Sequence, residues 1–277
     1  MASDSPRVYI PHTNGELTQL LRRHPEAKVY AGGTGLLQPD GPGRLALPPV
    51  LIALYGVEDL RRIARTDRHL DVGANATIRA ISRVAHNVVP QLLTDTLPHI
   101  VPPGLRNLAT LVGNVCTLGR VMTSVPTLIA LGAIVEIRRA GGGRWIPVSR
   151  FHGGTSGSPL APGEVVTRLR IPLDRYDVQL FRKTEDTRLT MAAVVSGSKR
   201  TIENVRIVIG SSAPTVLRNR ELEAELAGRK VPLGRREISQ AAERMRFAAR
   251  TSDPTFTSFD LYRIAGFVTT FLHRVGR

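Results

Sequence analysis

A short apolar strand at residues 28–30 runs directly into a stretch of almost bare backbone that contains Gly32, Gly33 and Gly35. Because glycine has no β-carbon, these positions can adopt positive φ angles and let another group contact the main chain. Thr34 adds one hydroxyl donor to the amide N–H groups of the loop. The pattern predicts either a tight turn or a loop that closes around a phosphate. Its spacing matches neither the G-x-G-x-x-G fingerprint nor the P-loop.

A second stretch repeats this logic, with a polar entry, a threonine and then a Gly-Asn pair between apolar residues. Its polar and glycine positions are Arg106, Asn107, Thr110, Gly113 and Asn114. Two such loops could hold one ligand between them. We expect Arg106 and Asn107 to fix the loop by bonding backbone carbonyls rather than to touch the ligand.

Length and hydropathy limit the number of domains and the class of protein that this chain can form. A chain of 277 residues exceeds the usual single-domain range, so two or three compact units are expected. The hydrophobic fraction of 42% is ordinary for a globular protein, and no apolar run approaches the ~20 residues that span a bilayer. Because the first residues show no signal-peptide pattern, the sequence predicts a cytoplasmic location.

The single cysteine, Cys116, excludes a four-thiolate iron–sulfur or zinc site built from this chain alone. Any iron–sulfur centre must therefore belong to another polypeptide, and Cys116 itself is expected to be a small buried hydrophobe. The seven histidines show no metal-ligand spacing, and no Ser-His-Asp order is readable. The sequence predicts neither catalytic side chains nor metal ligands.

The formal net charge of +15 raises the possibility of a polyanionic partner. However, the basic residues are mostly arginines scattered over separate elements, and aromatic residues make up only 5% of the chain. That composition provides little for base stacking, which argues against nucleic acid as a partner. The charge is better suited to docking onto an acidic partner subunit.

Hydrophobic periodicity and turn residues predict an α+β fold. The first domain covers residues 1–172, in two parts at about 1–56 and 57–172, and the second covers 173–277 with a three-stranded sheet and helices. We expect helices at 15–24, 57–64, 78–86, 90–100, 220–227, 235–249 and 259–274. Strands are expected at 28–30, 50–54, 69–72, 134–139, 144–148, 165–171, 178–181, 192–196 and 205–210.

Five motifs occur in the order found in one known family: KVYAGGTGLL, HLDVGANATI, LRNLATLVGN, PTLIALGAIVEI and FRKTEDTRLTMAAV. In this order the chain resembles the FAD-binding (medium) subunit of the molybdenum hydroxylases, as in xanthine dehydrogenase and carbon-monoxide dehydrogenase. The resemblance implies a two-part FAD-binding domain of the vanillyl-alcohol-oxidase (PCMH-like) type. It also implies a [2Fe–2S] small subunit and a molybdopterin-binding large subunit as partners, with NAD+ or another compound as electron acceptor.

Site residues follow from the same resemblance. The first loop would wrap the FAD diphosphate through backbone donors, the second would oppose it, and Thr123 stands where the family has a residue that bonds the FAD sugar. Val166 and Lys183 match positions that line the isoalloxazine side, although Lys183 could equally be a solvated charge at a strand end. The implied FAD contacts are Ala31, Gly32, Gly33, Thr34, Gly35, Leu36, Thr110, Gly113, Asn114, Thr123, Val166 and Lys183.

The sequence departs from the family pattern at several positions. Gly35 and Thr123 stand where the family has Asp, Val112 replaces a glycine, and residues 38–40 replace a Met-Lys pair. Arg120 could compensate by pairing with a phosphate. These departures leave a second function open, in which the same fold is a flavin-free scaffold subunit of the same kind of complex.

Overall fold

The structure, a computed structural model, describes residues 6–36, 47–84, 88–118, 122–153, 159–186, 189–198, 200–211 and 216–276. Arg120 and residues 38–40 lie outside these ranges. Within these ranges the chain forms three sheets, of three, five and four strands. Among the described residues, none of the helices combines the length and apolar character needed to cross a membrane.

The first sheet is parallel and lies near the amino terminus. It consists of β1 (Arg7–Tyr9), β2 (Lys28–Tyr30) and β3 (Val50–Ala53), with β3 in the centre. Helix α1 (Asn14–Arg23) connects β1 to β2 and buries Leu17 and Leu21. It begins where the Thr13 hydroxyl accepts a hydrogen bond from the N–H of Glu16 at 3.1 Å. The strands and helix predicted here are confirmed to within one or two residues.

The second sheet is antiparallel, in the order β4-β5-β8-β6-β7. Its strands are β4 (Ile63–Arg65), β5 (His69–Gly73), β6 (Ile134–Arg139), β7 (Gly142–Pro147) and β8 (Val165–Pro172). The helices of this region are α2 (Ile78–Arg83), α3 (Gln91–Thr96), α4 (Leu111–Cys116), α5 (Ser124–Ala130) and α6 (Val148–Phe151).

The helix predicted at 57–64 is wrong. That segment forms a short 3₁₀ turn, Glu58–Arg61, followed by β4. Val57 and Leu60 are both buried, and their spacing of three residues fits a 3₁₀ turn as well as an α-helix. Pairing of β4 with β5 then favours the strand, because β5 satisfies backbone hydrogen bonds that the same residues would otherwise form within a helix.

The third sheet has the order β12-β11-β10-β9 and is antiparallel. Its strands are β9 (Val178–Lys183), β10 (Thr190–Ser198), β11 (Thr201–Gly210) and β12 (Val216–Leu217). The helices α7 (Arg220–Leu226), α8 (Arg235–Ser252) and α9 (Ser258–Leu272) follow. The prediction of three strands is corrected to four, because the two residues of β12 are too few to show an alternating pattern.

Two hydrophobic cores support these layers. The larger core joins the first two sheets and includes Phe181, Ala192, Val194 and Val208 of the third sheet. The smaller core lies between the other face of the third sheet and helices α7, α8 and α9. The domain boundary near residue 172 remains a prediction, since residues on both sides of it share the larger core.

Candidate functional site

The first loop, Ala31 to Leu36, follows β2 at the carboxyl edge of the parallel sheet, where open α/β sheets commonly place ligands. Gly33 is buried and has a φ of +68°, a conformation that L-residues with side chains rarely adopt. Within the described parts of the chain, no group accepts a hydrogen bond from the N–H of Gly32, Gly33 or Thr34. The loop therefore holds three main-chain donors without a protein partner.

The two loops meet. A β-carbon built on Gly32 would lie 1.7 Å from the carbonyl oxygen of Leu108, two residues before Thr110. A β-carbon on Gly35 would lie 3.5 Å from the Thr117 hydroxyl, just after α4. The first loop thus runs along the segment that contains the second loop, and at position 32 only glycine leaves room for both backbones.

The second loop is fixed by its own polar groups. The Thr110 hydroxyl accepts a hydrogen bond from the N–H of Gly113 at 3.0 Å and caps the start of α4. Ala109 accepts a further bond from the N–H of Ile78 at 2.8 Å. Thr110 and Gly113 therefore bond each other, and together they form a rigid turn that a ligand could contact.

Asn114 ties this loop to helix α5. Its Oδ1 accepts hydrogen bonds from Ser124 Oγ at 2.5 Å and from the Ser124 N–H at 3.4 Å, and both residues are buried. Thr123 directly precedes Ser124, and its side chain makes no cap bond to α5. The structure thus brings Thr123 beside the second loop. Sequence reasoning missed Ser124, whose only signal is a hydroxyl in an otherwise apolar run.

Arg106 acts as its sequence context predicts. Its guanidinium donates to the carbonyl oxygens of Pro98 at 2.8 Å and Val101 at 3.3 Å. These bonds close the turn that leads into the second loop. The interpretation of Arg106 as a residue that fixes backbone is confirmed, and that of Asn107 remains a prediction.

The remaining predicted residues lie on other elements. Val166 is a buried residue of β8, which packs against α4, and its side chain belongs to the larger core. Lys183 ends β9, and its Nζ donates to the carbonyl oxygen of His99 at 2.9 Å. Burial lowers the pKa of Lys183. The structure therefore links Lys183 to the segment ahead of the second loop rather than to either glycine loop.

Cys116 is the last residue of α4. Burial raises the pKa of its thiol to about 12, although the charge of Lys28 opposes the shift. The group is therefore a neutral thiol at physiological pH. Its side chain is half-buried against the larger core rather than fully buried as predicted.

Two solved structures share this fold over nearly their whole length. A chain of carbon monoxide dehydrogenase from Hydrogenophaga pseudoflava, in a form that lacks the Mo-pyranopterin moiety, matches with a TM-score of 0.82 and 24% identity, over 99% of this chain and 97% of that one. A chain of quinoline 2-oxidoreductase from Pseudomonas putida 86 matches with a TM-score of 0.80 and 23% identity, over 98% and 95%. The α+β fold of this chain is therefore the fold of those two chains.

Sequence comparison gives the family itself. Residues 3–174 match the family described as the FAD binding domain in molybdopterin dehydrogenase. The carbon monoxide dehydrogenase medium chain of Hydrogenophaga pseudoflava is 30% identical over 231 residues, which are 80% of this chain and 79% of that protein. The nicotine 6-hydroxylase medium subunit of Paenarthrobacter nicotinovorans is 28% identical over 85% of both chains. This chain belongs to the family of FAD-binding medium subunits of the molybdenum hydroxylases, and its cofactor is FAD.

Longer relatives match over a fraction of their length. The xanthine dehydrogenase of Emericella nidulans is 25% identical over 241 residues, which are 80% of this chain and 18% of that protein. The chain thus spans about a fifth of the xanthine dehydrogenase it matches.

The residues present fit the FAD diphosphate. Three successive main-chain N–H groups, those of Gly32, Gly33 and Thr34, bond no group within the described part of the chain, and successive amides of this kind can form an anion-binding concavity. At Gly32 the two backbones approach so closely that no β-carbon would fit, so only main-chain atoms line the loop at this position.

Proposed function

We propose that this chain is the electron-transfer subunit of a molybdopterin hydroxylase or dehydrogenase complex. It takes electrons from a [2Fe–2S] small subunit and passes them to NAD+ or another acceptor. Substrate hydroxylation takes place on a separate molybdopterin-binding large subunit. The observation that carries this proposal is the glycine loop, which lies against the segment leading into the second loop and has three amides that bond no group of the described residues.

Bound FAD supplies the redox chemistry, because the isoalloxazine can accept and release electrons while the protein binds and orients it. In our assignment the loop Ala31 to Leu36 holds the diphosphate with backbone N–H groups. Thr110, Gly113 and Asn114 form the rigid wall opposite, and Thr123 stands beside it. The three unbonded amides support the first assignment, and the Asn114–Ser124 hydrogen bonds support the second.

Val166 and Lys183 are assigned to the isoalloxazine side. The charge of Lys183 would favour electron uptake at that ring, since a nearby cation stabilises added negative charge. Its hydrogen bond to the His99 carbonyl supports this role, because it holds the ammonium group in one place. We place FAD binding in residues 1–172, with parts at about 1–56 and 57–172, and the subunit's second domain in 173–277.

Partners are proposed from the same family membership. The medium chains of carbon monoxide dehydrogenase and nicotine 6-hydroxylase are, by name, components of larger enzymes. The +15 net charge of this chain would assist docking onto acidic subunits. The cytoplasmic location rests on the sequence expectation alone, and cell fractionation would test it.

The decisive experiment is an absorbance spectrum of the purified protein, before and after incubation with FAD. Flavin bands at about 370 and 450 nm, a property of the cofactor, are expected to remain after gel filtration. Anaerobic mixing with the reduced iron–sulfur subunit should then bleach the 450 nm band. A colourless protein that still copurifies with two partner subunits would instead identify the flavin-free scaffold.

A further inference from the structure

A polar cavity of about 190 Å³ lies between the start of α1, the turn Glu58–Arg61 and the strands β6 and β8. It contains none of the residues assigned to FAD, and it is several times larger than the roughly 30 Å³ that one water occupies in the liquid. Seven charged or polar residues of its wall determine its chemistry: Asn14, Asp59, Arg62, Glu136, Arg138, Thr167 and Arg168.

One acid and one base of this wall neutralise each other. Glu136 is buried, and its Oε1 accepts bonds from Arg138 Nε at 3.0 Å and from a terminal nitrogen of Arg138 at 2.9 Å. Its Oε2 accepts a bond from the Thr167 hydroxyl at 2.9 Å. The Glu136 carboxylate is therefore satisfied by the protein.

Two other arginines keep donors available. Within the described ranges, the guanidinium of Arg62 has neither a hydrogen bond nor an ion-pair partner. Arg168 lies 3.5 Å from Asp71 Oδ2 and 3.7 Å from Glu136 Oε2, both longer than a good hydrogen bond. Arg62 and Arg168 thus bring two positive charges to the cavity without strong internal partners.

The cavity also has an acceptor that lacks a donor. Asn14 Oδ1 is buried and has no hydrogen-bond partner, whereas its Nδ2 donates to Asp59 Oδ2 at 3.4 Å. Because buried polar atoms nearly always have a hydrogen-bond partner, we expect a bound molecule to donate a hydrogen bond to this oxygen.

We propose that this cavity binds a protonated oxyanion, either inorganic phosphate or a phosphate monoester in its monoanionic form. Arg62 and Arg168 would hold the anionic oxygens, and a P–O–H group would donate to Asn14 Oδ1. Asp59 beside Asn14 opposes additional negative charge, which favours an anion that carries a proton. Sulfate has the same shape but no proton at neutral pH, so the site should prefer phosphate.

Isothermal titration calorimetry tests this proposal. The FAD-saturated protein, whose diphosphate site is already filled, is titrated with inorganic phosphate and, separately, with sulfate. We expect phosphate to bind more tightly. Arg62→Gln and Arg168→Gln should each weaken phosphate binding by about tenfold, since each removes a charge-assisted contact. Arg65→Gln is the matched control, because Arg65 is an exposed arginine of β4 that does not line the cavity. Asn14→Ala should abolish the preference for phosphate over sulfate.

Titration with glycerol 3-phosphate at pH 6 distinguishes a phosphate monoester from free phosphate as the natural ligand. Binding at least as tight as that of inorganic phosphate indicates a monoester. Weaker binding indicates the free ion. The proposal is overturned if no phosphate binds at about 10 mM. It is equally overturned if Arg62→Gln and Arg168→Gln bind like Arg65→Gln. Phosphate binding by the arginine variants can also be compared on protein without flavin. A failure of the FAD assignment would therefore be distinguished from a failure of the phosphate site.

Discussion

The β-carbon that Gly32 lacks would lie 1.7 Å from the carbonyl oxygen of Leu108. Positions 32 and 108 are far apart in the chain, and this contact places the glycine loop on the segment that leads into the second loop. The prediction that two loops poor in side chains lie together is thereby confirmed.

Gly32→Ala should separate the loops and weaken FAD binding by tenfold or more, roughly 1.4 kcal/mol or above. No side-chain rotation can relieve the clash, because the opposing atom belongs to the backbone. Gly104→Ala is the control, since Gly104 is not assigned to FAD and its added carbon would meet nothing within 4 Å. Titration of the apoproteins with FAD, followed by flavin fluorescence, measures both. Equal affinity of the two variants would show that the contact at Leu108 does not shape the site.

Ser124→Ala should lower the free energy of unfolding by about 1 to 3 kcal/mol, because Asn114 Oδ1 would lose the hydroxyl donor at 2.5 Å and keep only the Ser124 N–H at 3.4 Å. Urea unfolding followed by circular dichroism measures this loss. Ser82→Ala is the control, since the Ser82 hydroxyl donates to Ile78 on an exposed helix surface. The role of Asn114 as a tie to α5 would be refuted if both variants lost the same small amount.

Glu164 should make the protein sensitive to acid. Hydrogen bonds from Arg144 hold the pKa of this carboxyl below its usual value of 4.5, although burial opposes the shift. A carboxyl with a depressed folded-state pKa stabilises the fold above its unfolded-state pKa, and this stabilisation is lost as the pH falls through the folded-state pKa. Glu164→Gln should therefore lower stability at pH 7 and flatten the loss of stability below about pH 4.5.

The control for Glu164 is Glu243→Gln, which removes an exposed carboxylate paired with Arg246 at 2.6 Å. Exposed pairs contribute about 0 to 1 kcal/mol, so its pH profile should follow that of the wild type. Thermal unfolding between pH 7 and pH 3 records both curves. A Glu164→Gln curve parallel to that of the wild type would contradict the assignment.

Cys116 should resist thiol reagents in the folded protein. With a pKa of about 12, its thiolate fraction near pH 8 is negligible. Ellman's reagent should label less than a tenth of the chain in an hour at pH 8, an order-of-magnitude expectation from the thiolate requirement. The same protein in guanidinium should give one thiol per chain, as the single cysteine requires. Because Cys116 is only half-buried, rapid labelling of the native form would show that its pKa is not raised.

Local sequence patterns predicted much of the secondary structure. Strand β2 has the predicted bounds, and α1 lies within one residue of the helix predicted at 15–24. Helix α5 was missed because all its residues are buried, so it has no polar face to produce a helical period. The segment 57–64 was mispredicted because a strand partner, invisible in a short window, outweighed its apolar spacing.

For the site, residue types indicated the loops but not their bonds. Glycine at 32, 33 and 35 showed a bare backbone, and Arg106 indicated carbonyl contacts, both of which the structure confirms. The use of Thr110 as a helix cap and of Ser124 as the donor to Asn114 did not follow from any spacing. Nor did the link between Lys183 and the His99 carbonyl.

The sequence alone determined where the backbone is bare, which faces are apolar and which family the chain joins, because these depend on residue identity and near neighbours. Tertiary structure decided that Gly32 meets Leu108 and that Asn14 shares a cavity with Arg62 and Arg168. Such pairings depend on how buried surfaces pack, and packing is a property of all the elements together rather than of any one segment.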